Sequence, residues 1–148
     1  MEEDTHAALA ALAVRWVEEG WRRGDGAIVG ELHAPDFVDH DSGGRAPDNA
    51  GFREGIVRLF SAFPDFRAEV QGVVVEESVS GRADGGASGT VAVRWAAAGT
   101  HQAAYLGAAP TGRVVAFKGI EVIRVEGGLI VERWGEWDGI ALLAQLGR

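Results

Sequence analysis

Cysteine is absent from the 148-residue chain. Its absence excludes disulfides, thiolate catalysis, and zinc or iron–sulfur sites with cysteine ligands. No apolar run approaches the roughly 18 residues that a membrane-spanning helix needs, so no membrane partner is expected. The sequence begins with the acidic stretch Met1–Asp4, where a secretory signal would be basic. These features favour a cytoplasmic location.

Basic residues are scarce: 14 Lys and Arg face 22 Asp and Glu, for a net charge of −8. Such a chain repels phosphate backbones, so nucleic acid is not expected as a partner. Standard nucleotide motifs are missing too, since the glycines of residues 81–86 have neither Walker nor dinucleotide spacing. We interpret them as part of a polar hairpin tip within residues 80–89.

The bulk composition is that of an ordinary globular protein, with 47% hydrophobic and 24% charged residues. A chain of this length buries about 68–70% of its unfolded surface on folding. One domain over residues 1–148 is therefore expected, with a core that needs neither disulfide nor metal for its stability.

The first third of the sequence has helical periodicity. Apolar residues recur at helical spacing from Leu9 to Trp21 and again from Phe52 to Phe63. Gly24–Gly26 should end the first helix, and a short second helix follows. Residues 33–47 are predicted to form a loop, and Pro64 should end the third helix.

From Phe66 onward the apolar period changes to two, which is typical of strands. Helices followed by antiparallel strands predict an α+β fold, with helices packed on one face of a curved sheet. The predicted strands, a further extended piece and a closing helix cover residues 70–75, 90–98, 101–106, 113–125, 129–137 and 139–146.

The last long strand has acidic side chains beside tryptophan. Strict alternation puts Trp134, Glu136 and Asp138 on one face, while Arg133 and Trp137 lie on the other. In a partly apolar cavity a carboxylate is desolvated and becomes a better proton acceptor, as general-base chemistry requires. However, Asp138 precedes the apolar stretch 139–143, so it either serves as acid/base or caps the final helix.

Other polar residues have open interpretations. Glu121 fits a pocket or the open face of the sheet, and spacing alone favours the solvated face. His33 and His40 bracket three aspartates, but no metal-binding pattern is matched, so no metal site is predicted. His101 is either an acid or hydrogen-bond donor, or a structural histidine. Five tryptophans exceed what a small core needs, and a cavity lined by some of them suits a flat polycyclic ligand.

Six stretches of the sequence together resemble the SnoaL-like polyketide cyclase family. They are Phe37–Asp41, Phe63–Phe66, Gly99–Gln102, Leu106–Arg113, Gly119–Trp134 and Trp137–Gly147. The resemblance implies the cone-shaped α+β fold shared with nuclear transport factor 2, a barrel-like arrangement in which N-terminal helices close a curved antiparallel or mixed sheet over a deep pocket. It also implies ring closure of a polyketide by an intramolecular aldol reaction, without cofactor or metal.

Site residues follow from the same resemblance. Asp138 matches the family's acid/base aspartate, with Glu136 in reserve, and His101 is the expected donor to an enolate. The residues expected to line the substrate pocket are His40, Glu121, Trp134, Trp16, Phe37 and Phe60. The chain departs from the family where it has Glu121 in place of a frequent histidine, and where residues 136–139 replace an Arg-Asp-Asp run.

The leading hypothesis is a cofactor-independent cyclase or isomerase, used in antibiotic biosynthesis, that acts on a polyketide-like, largely apolar carbonyl compound. The alternatives are an epoxide hydrolase or epoxide-opening cyclase of the same fold, and a non-catalytic small-molecule-binding module. A homodimer is expected, paired through the outer face of the sheet, with a tetramer left open. Alternation makes Arg124, Arg133 and Trp137 candidates for that face.

Overall fold

The computed structural model of the chain describes residues 4–78 and 86–148. It begins with one helical run made of α1 (Thr5–Val14), a π-helical turn (Arg15–Glu19) and α2 (Gly20–Arg23). Gly24 ends this run in the left-handed conformation, with φ 68°, which glycine adopts without steric cost. The helix end predicted at Gly24–Gly26 is therefore confirmed.

Two further helices precede most of the sheet. Helix α3 (Ala27–Leu32) follows Asp25, whose carboxylate accepts a 2.9 Å hydrogen bond from the backbone N–H of Ala27. Helix α4 (Asn49–Ala62) is capped by Asp48, which accepts from the N–H of Gly51. Both helices were predicted, and α4 ends just before Pro64 as expected.

Five strands form one mixed sheet in the order β1–β5–β4–β3–β2. Neighbouring strands are antiparallel except β1, which runs parallel to β5. The α+β class and the mixed sheet are confirmed, but the sheet is open, with β1 and β2 as its edges, and is not a closed barrel. The remaining elements are β1 (His33–Asp39), β2 (Arg67–Glu77), β3 (Gly89–Thr100), β4 (Val114–Glu126), β5 (Leu129–Trp137) and α5 (Gly139–Gln145).

Two segment predictions need correction. Residues 33–39 were expected in a loop but form β1, an edge strand without regular alternation of burial; its Pro35 is tolerated because an edge strand has free N–H positions. Residues 101–106 contain no strand, and only an isolated bridge joins Tyr105 to Ala108. The predicted hairpin tip falls largely on residues 79–85, which lie outside the described part of the chain.

A bulge in β5 reverses the predicted orientation of the side chains that follow it. Val125 pairs with Ile130 and Arg124 pairs with Glu132, so Val131 is inserted between them. An inserted residue shifts the alternation by one position. Arg133 consequently points to the same face as Ile130 and is buried, 8% exposed. The expectation that Arg133 lies on the outer face was wrong.

The helices cover one face of the sheet and form the core with it. Trp16 from the π-helical turn and Phe52 from α4 belong to the same cluster as Val93 and Ile123 of the sheet. This packing fixes the inner face, on which β3 and β4 alternate buried side chains. Within residues 4–78 and 86–148, no helix is both long and apolar enough to cross a membrane.

Candidate active site

A cavity of about 740 Å³ opens between the inner face of the sheet and the helices. This volume lies within the range of small-molecule sites. Its apolar walls are Trp21, Phe52, Leu59, Phe66, Trp95, Phe117 and Trp137. Its ionisable lining residues are Asp41, Arg45, Arg58, Tyr105, Glu121, Arg133 and Glu136.

The floor of the cavity is a buried ion pair between β4 and β5. Glu121 and Arg133 lie on neighbouring strands and are 2% and 8% exposed. The Arg133 Nε and Nη2 donate to Glu121 Oε1 at 3.0 and 2.7 Å. Glu121 is therefore an interior residue, and the solvated-face interpretation was wrong. Its expected position in the pocket lining is what the structure shows.

A second carboxylate holds Arg133 from the opposite side. Asp39, at the end of β1, accepts from Arg133 Nη1 at 2.9 Å and from Arg45 Nη2 at 3.4 Å. Burial opposes the charge on Arg133, but the charges and hydrogen bonds of Glu121 and Asp39 outweigh it and raise the pKa of the guanidinium. Arg133 therefore stays protonated, and its planar fork has a fixed orientation.

Trp16 and His33 support this floor from below. The Trp16 indole N–H donates to Glu121 Oε2 at 3.0 Å, and the His33 ring lies 4.6 Å from that of Trp16. Asn49 donates to the Ala34 carbonyl, so its amide oxygen accepts from His33 Nδ1 at 2.9 Å. Burial lowers the pKa of His33 to about 4, so this imidazole is neutral at physiological pH.

Asp41 brings a further carboxylate to the cavity beside Arg133. Its Oδ2 accepts from the backbone N–H of Gly135 at 2.8 Å. A Cβ at Gly135 would lie 2.4 Å from Arg133 Nη2, so the guanidinium crosses the bare Cα of this glycine. A carboxylate and a guanidinium thus flank the same residue of β5.

The three predicted catalytic residues are dispersed. Asp138 accepts from the Ala141 N–H at 2.9 Å as the cap of α5 and lines a separate, smaller pocket of about 470 Å³ with Lys118 and Ile120. Between the two roles left open for Asp138, the geometry favours capping. Glu136 lines both pockets, and it pairs with Ile120, which is exposed on the outer face.

His101 is fully buried and is not part of the cavity lining. Its Nδ1 accepts from the Thr111 N–H at 3.1 Å. Its Nε2 has no hydrogen-bond partner among the described residues, and its ring lies 5.5 Å from that of Phe63. This environment is that of a structural histidine.

The predicted binding residues are likewise divided. His40 stacks on Trp134, with ring centroids 4.8 Å apart, and bonds Glu132 at 2.7 Å, outside the cavity lining. Phe37 belongs to the core, and Phe60 packs against both core clusters. Of the residues expected on the outer face, Trp137 instead lines the cavity.

Six polar residues of the site were missed by sequence reasoning. Arg133 was placed on the wrong face because a bulge is not visible in the alternation. The other five are Asp39, Asp41, Arg45, Arg58 and Tyr105. Only the density of acidic residues around Asp39 and Asp41 offered a signal. Among the described residues, no three His, Asp or Glu side chains are close enough to hold a metal ion.

Comparisons with known proteins agree with this architecture. A family model described as SnoaL-like polyketide cyclase matches residues 11–146. No curated protein sequence matches the chain. Among solved structures, IdmH from Streptomyces antibioticus, a proposed polyketide cyclase, is 32% identical with a TM-score of 0.70, and the match covers 97% of this chain and 100% of IdmH.

Two other structures from Streptomyces are similar over nearly the full length. AclR from Streptomyces galilaeus, a proposed hydroxylase, is 29% identical with a TM-score of 0.79 and covers 96% of this chain and 97% of its own. TsrD from Streptomyces laurentii is 23% identical with a TM-score of 0.81, covering 99% and 98%; this likeness concerns the fold alone. The chain belongs to the SnoaL-like polyketide cyclase family.

Proposed function

We propose that the protein is a cofactor-independent cyclase or isomerase that acts on a polyketide-like, largely apolar carbonyl compound. The observation that carries the proposal is the buried, fixed guanidinium of Arg133 on the floor of an aromatic cavity. A flat conjugated substrate fits between aromatic walls. A charged donor under it stabilises the oxyanion of an enolate.

The reaction needs one carboxylate and one oxyanion donor. In our proposal Asp41 removes the proton α to a carbonyl, and Arg133 donates to the enolate oxygen that forms. The enolate carbon then bonds to a second carbonyl carbon of the same molecule, and the new alkoxide takes the proton back from Asp41. Atoms and charge balance without an outside reagent, because the carboxylate acts first as base and then, protonated, as acid.

Asp41 is preferred over the residues inferred from the family resemblance. Its carboxylate bonds the N–H of Gly135, the residue that the Arg133 guanidinium crosses. Glu121 already accepts three hydrogen bonds, two from Arg133 and one from Trp16. Glu136 also borders the cavity, but its pairing with the exposed Ile120 turns its side chain to the outer face, so it is only the second candidate for the base.

Proton exchange tests this assignment without knowledge of the natural substrate. The probe is 2-acetyl-9,10-anthraquinone in D2O, with loss of the acetyl signal followed by proton NMR. The native protein should accelerate exchange over buffer, and Asp41→Asn should reduce the acceleration about 10²- to 10⁴-fold, the usual contribution of a general base. Asp138→Asn is the matched control, in which exchange should stay within a few-fold of the native rate.

The pattern of loss separates the possible outcomes. Loss with Glu136→Gln but not with Asp41→Asn would transfer the base role to Glu136. Binding of the probe without any acceleration would favour a non-catalytic binding module and overturn the enzyme proposal.

Epoxide opening is the second candidate. Two buried carboxylates, Asp39 and Glu121, hold one guanidinium between them, and paired carboxylates can position a water. The two reactions differ in oxygen balance: epoxide opening incorporates ¹⁸O from labelled water into the product, whereas aldol ring closure does not.

A further inference from the structure

Two guanidinium groups and one phenol of the cavity lining are not used by the proposed reaction. They are Arg45, Arg58 and Tyr105. Two of them carry permanent positive charge, and all three come from parts of the chain outside the Glu121–Arg133 floor. Because all three donors line one cavity, a ligand group that accepts several hydrogen bonds would match them.

Helix α4 presents one face to the cavity and supports two of these donors. Phe52, Gly55, Arg58 and Leu59 all line the cavity, and their spacing of three to four residues puts them on one side of the helix. The Arg45 side chain folds back from the preceding loop onto this same face.

Arg45 is held in a fixed orientation there. Its Nη1 donates to the Gly51 carbonyl at 2.9 Å, and its guanidinium carbon lies 5.4 Å from the centre of the Phe52 ring. A Cβ at Gly55 would lie 3.0 Å from the guanidinium, so the glycine gives Arg45 room to pack against the helix. The Arg45 side chain is therefore already ordered in the free protein, so ligand binding costs little further side-chain entropy.

Tyr105 belongs to the same group. Burial raises the pKa of its phenol, whereas the charges of Arg45 and Arg58 act in the opposite direction. The phenol is therefore protonated at neutral pH and can donate a hydrogen bond, and it lines the same cavity as both guanidinium groups. Its ring is held edge-on against Phe63, with centroids 5.3 Å apart.

The carboxylates of the protein only partly neutralise the positive charges of Arg45 and Arg58. Arg45 reaches Asp39 only at 3.4 Å, while Asp39 binds Arg133 at 2.9 Å. Arg58 pairs with Glu54, and these side chains are 61% and 59% exposed; exposed pairs of this kind are weak. Asp41 bonds the N–H of Gly135 on the opposite element, β5.

We propose that the substrate carries a carboxylate, which Arg45, Arg58 and Tyr105 bind while the apolar body of the molecule lies between the aromatic walls. The inference rests on the proposed function and narrows its substrate class to carbonyl compounds with a free acid group. Planar guanidinium groups match a carboxylate with paired hydrogen bonds, which makes Arg the suitable cation for this task.

A pair of isosteric ligands tests the inference by binding alone. Quenching of tryptophan fluorescence is titrated with 9,10-anthraquinone-2-carboxylate and with the corresponding neutral carboxamide. Charge-assisted hydrogen bonds make the acid bind about 10- to 100-fold more tightly than the amide. The advantage should shrink as salt rises, because part of it comes from an exposed charge.

Variants assign the preference to the three donors. Arg58→Gln and Tyr105→Phe should each reduce the acid's advantage several-fold without changing the affinity for the amide, and Arg45→Lys should retain part of it. Arg53→Gln is the matched control: it removes the same charge from the same helix, but Arg53 does not line the cavity. Circular dichroism melting confirms that each variant is folded.

The outcomes separate this inference from the proposed function. Equal affinity for acid and amide in the native protein, or an advantage that survives Arg58→Gln and Tyr105→Phe together, overturns the carboxylate site and leaves the cavity as a binding site for neutral compounds. Failure of both ligands to bind contradicts the polycyclic substrate itself, and the carboxylate site with it.

Discussion

At the scale of single residues, the charge on Arg133 is the feature that organises the floor of the cavity. A buried guanidinium loses hydration worth several kcal/mol, which only close partners with good geometry offset. Glu121 and Asp39 supply that geometry at 2.7 and 2.9 Å. The arrangement adds little net stability, but it fixes where the remaining N–H groups of Arg133 point.

Removing the charge of one carboxylate partner tests how much the two carboxylates stabilise the buried Arg133. Glu121→Gln replaces a carboxylate with a neutral amide, so Arg133 loses half of its compensation and the Trp16 N–H loses a charged acceptor. Breaking a buried pair costs about 3–5 kcal/mol, and we expect the free energy of unfolding to fall by that amount in urea titrations.

Glu132→Gln provides the control for that measurement. Glu132 lies next to Arg133 on β5 but bonds His40 and Arg124 outside the cavity. Loss of its partly exposed ion pair should cost about 1 kcal/mol or less. If the two variants lose equal stability, the interior ion pair is not what holds the floor in place.

At the scale of elements, α5 shows how a predicted catalytic residue acquires another role. Asp138 caps the helix, and Gln145 near its end bonds both the N–H and the carbonyl of Ala116 in β4. These contacts dock α5 against the beginning of β4, at the end of the sheet opposite the turn that joins β4 to β5.

Asp138→Ala should therefore affect stability and not chemistry. Loss of an N-cap acceptor costs about 1 kcal/mol, measured as a lower urea midpoint with an unchanged slope, while the affinity for 9,10-anthraquinone-2-carboxylate stays the same. Asp138→Ser keeps a capping oxygen and should restore most of the stability. An Asp138→Ala protein of native stability that no longer catalyses proton exchange would return Asp138 to the catalytic role.

The elements that the sequence predicted well are those with strong local signals. The glycines that end the first helix and the proline that follows α4 both have local physical causes. The family resemblance supplied the fold and placed Glu121 in the pocket, where spacing alone favoured the opposite face.

The elements it predicted poorly depend on contacts distant in sequence. Strand β1 has no alternation of its own and exists through its parallel pairing with β5. The bulge at Val131 turns Arg133 inward, and its benefit is an ion pair with Asp39, 94 positions away. Neither the parallel pairing nor the ion pair leaves a pattern in the residues next to it in sequence. The buried ion pair on the floor of the cavity could therefore not be predicted from periodicity.

At the scale of the whole molecule, the site and the core share one buried histidine. His33 lies between Trp16 and Phe37, with ring centroids 4.6 and 3.9 Å away. Its Nε2 is buried with no hydrogen-bond partner in residues 4–78 and 86–148. Protonation would place a charge in this apolar cluster, close to Arg133, so folding favours the neutral imidazole.

Acid should therefore weaken the whole fold through this one group. The pKa of His33 is about 4 when folded and about 6.5 when unfolded. Between these values the unfolded chain binds more protons, so stability falls as pH drops, by up to about 3 kcal/mol at pH 4. His33→Gln should lower stability at neutral pH but flatten this slope, whereas His6→Gln, at an exposed position, should leave it unchanged. The test is to measure urea midpoints of the native and variant proteins from pH 7 to 4. If stability falls equally steeply with pH in the native and His33→Gln proteins, carboxylates alone cause the acid sensitivity.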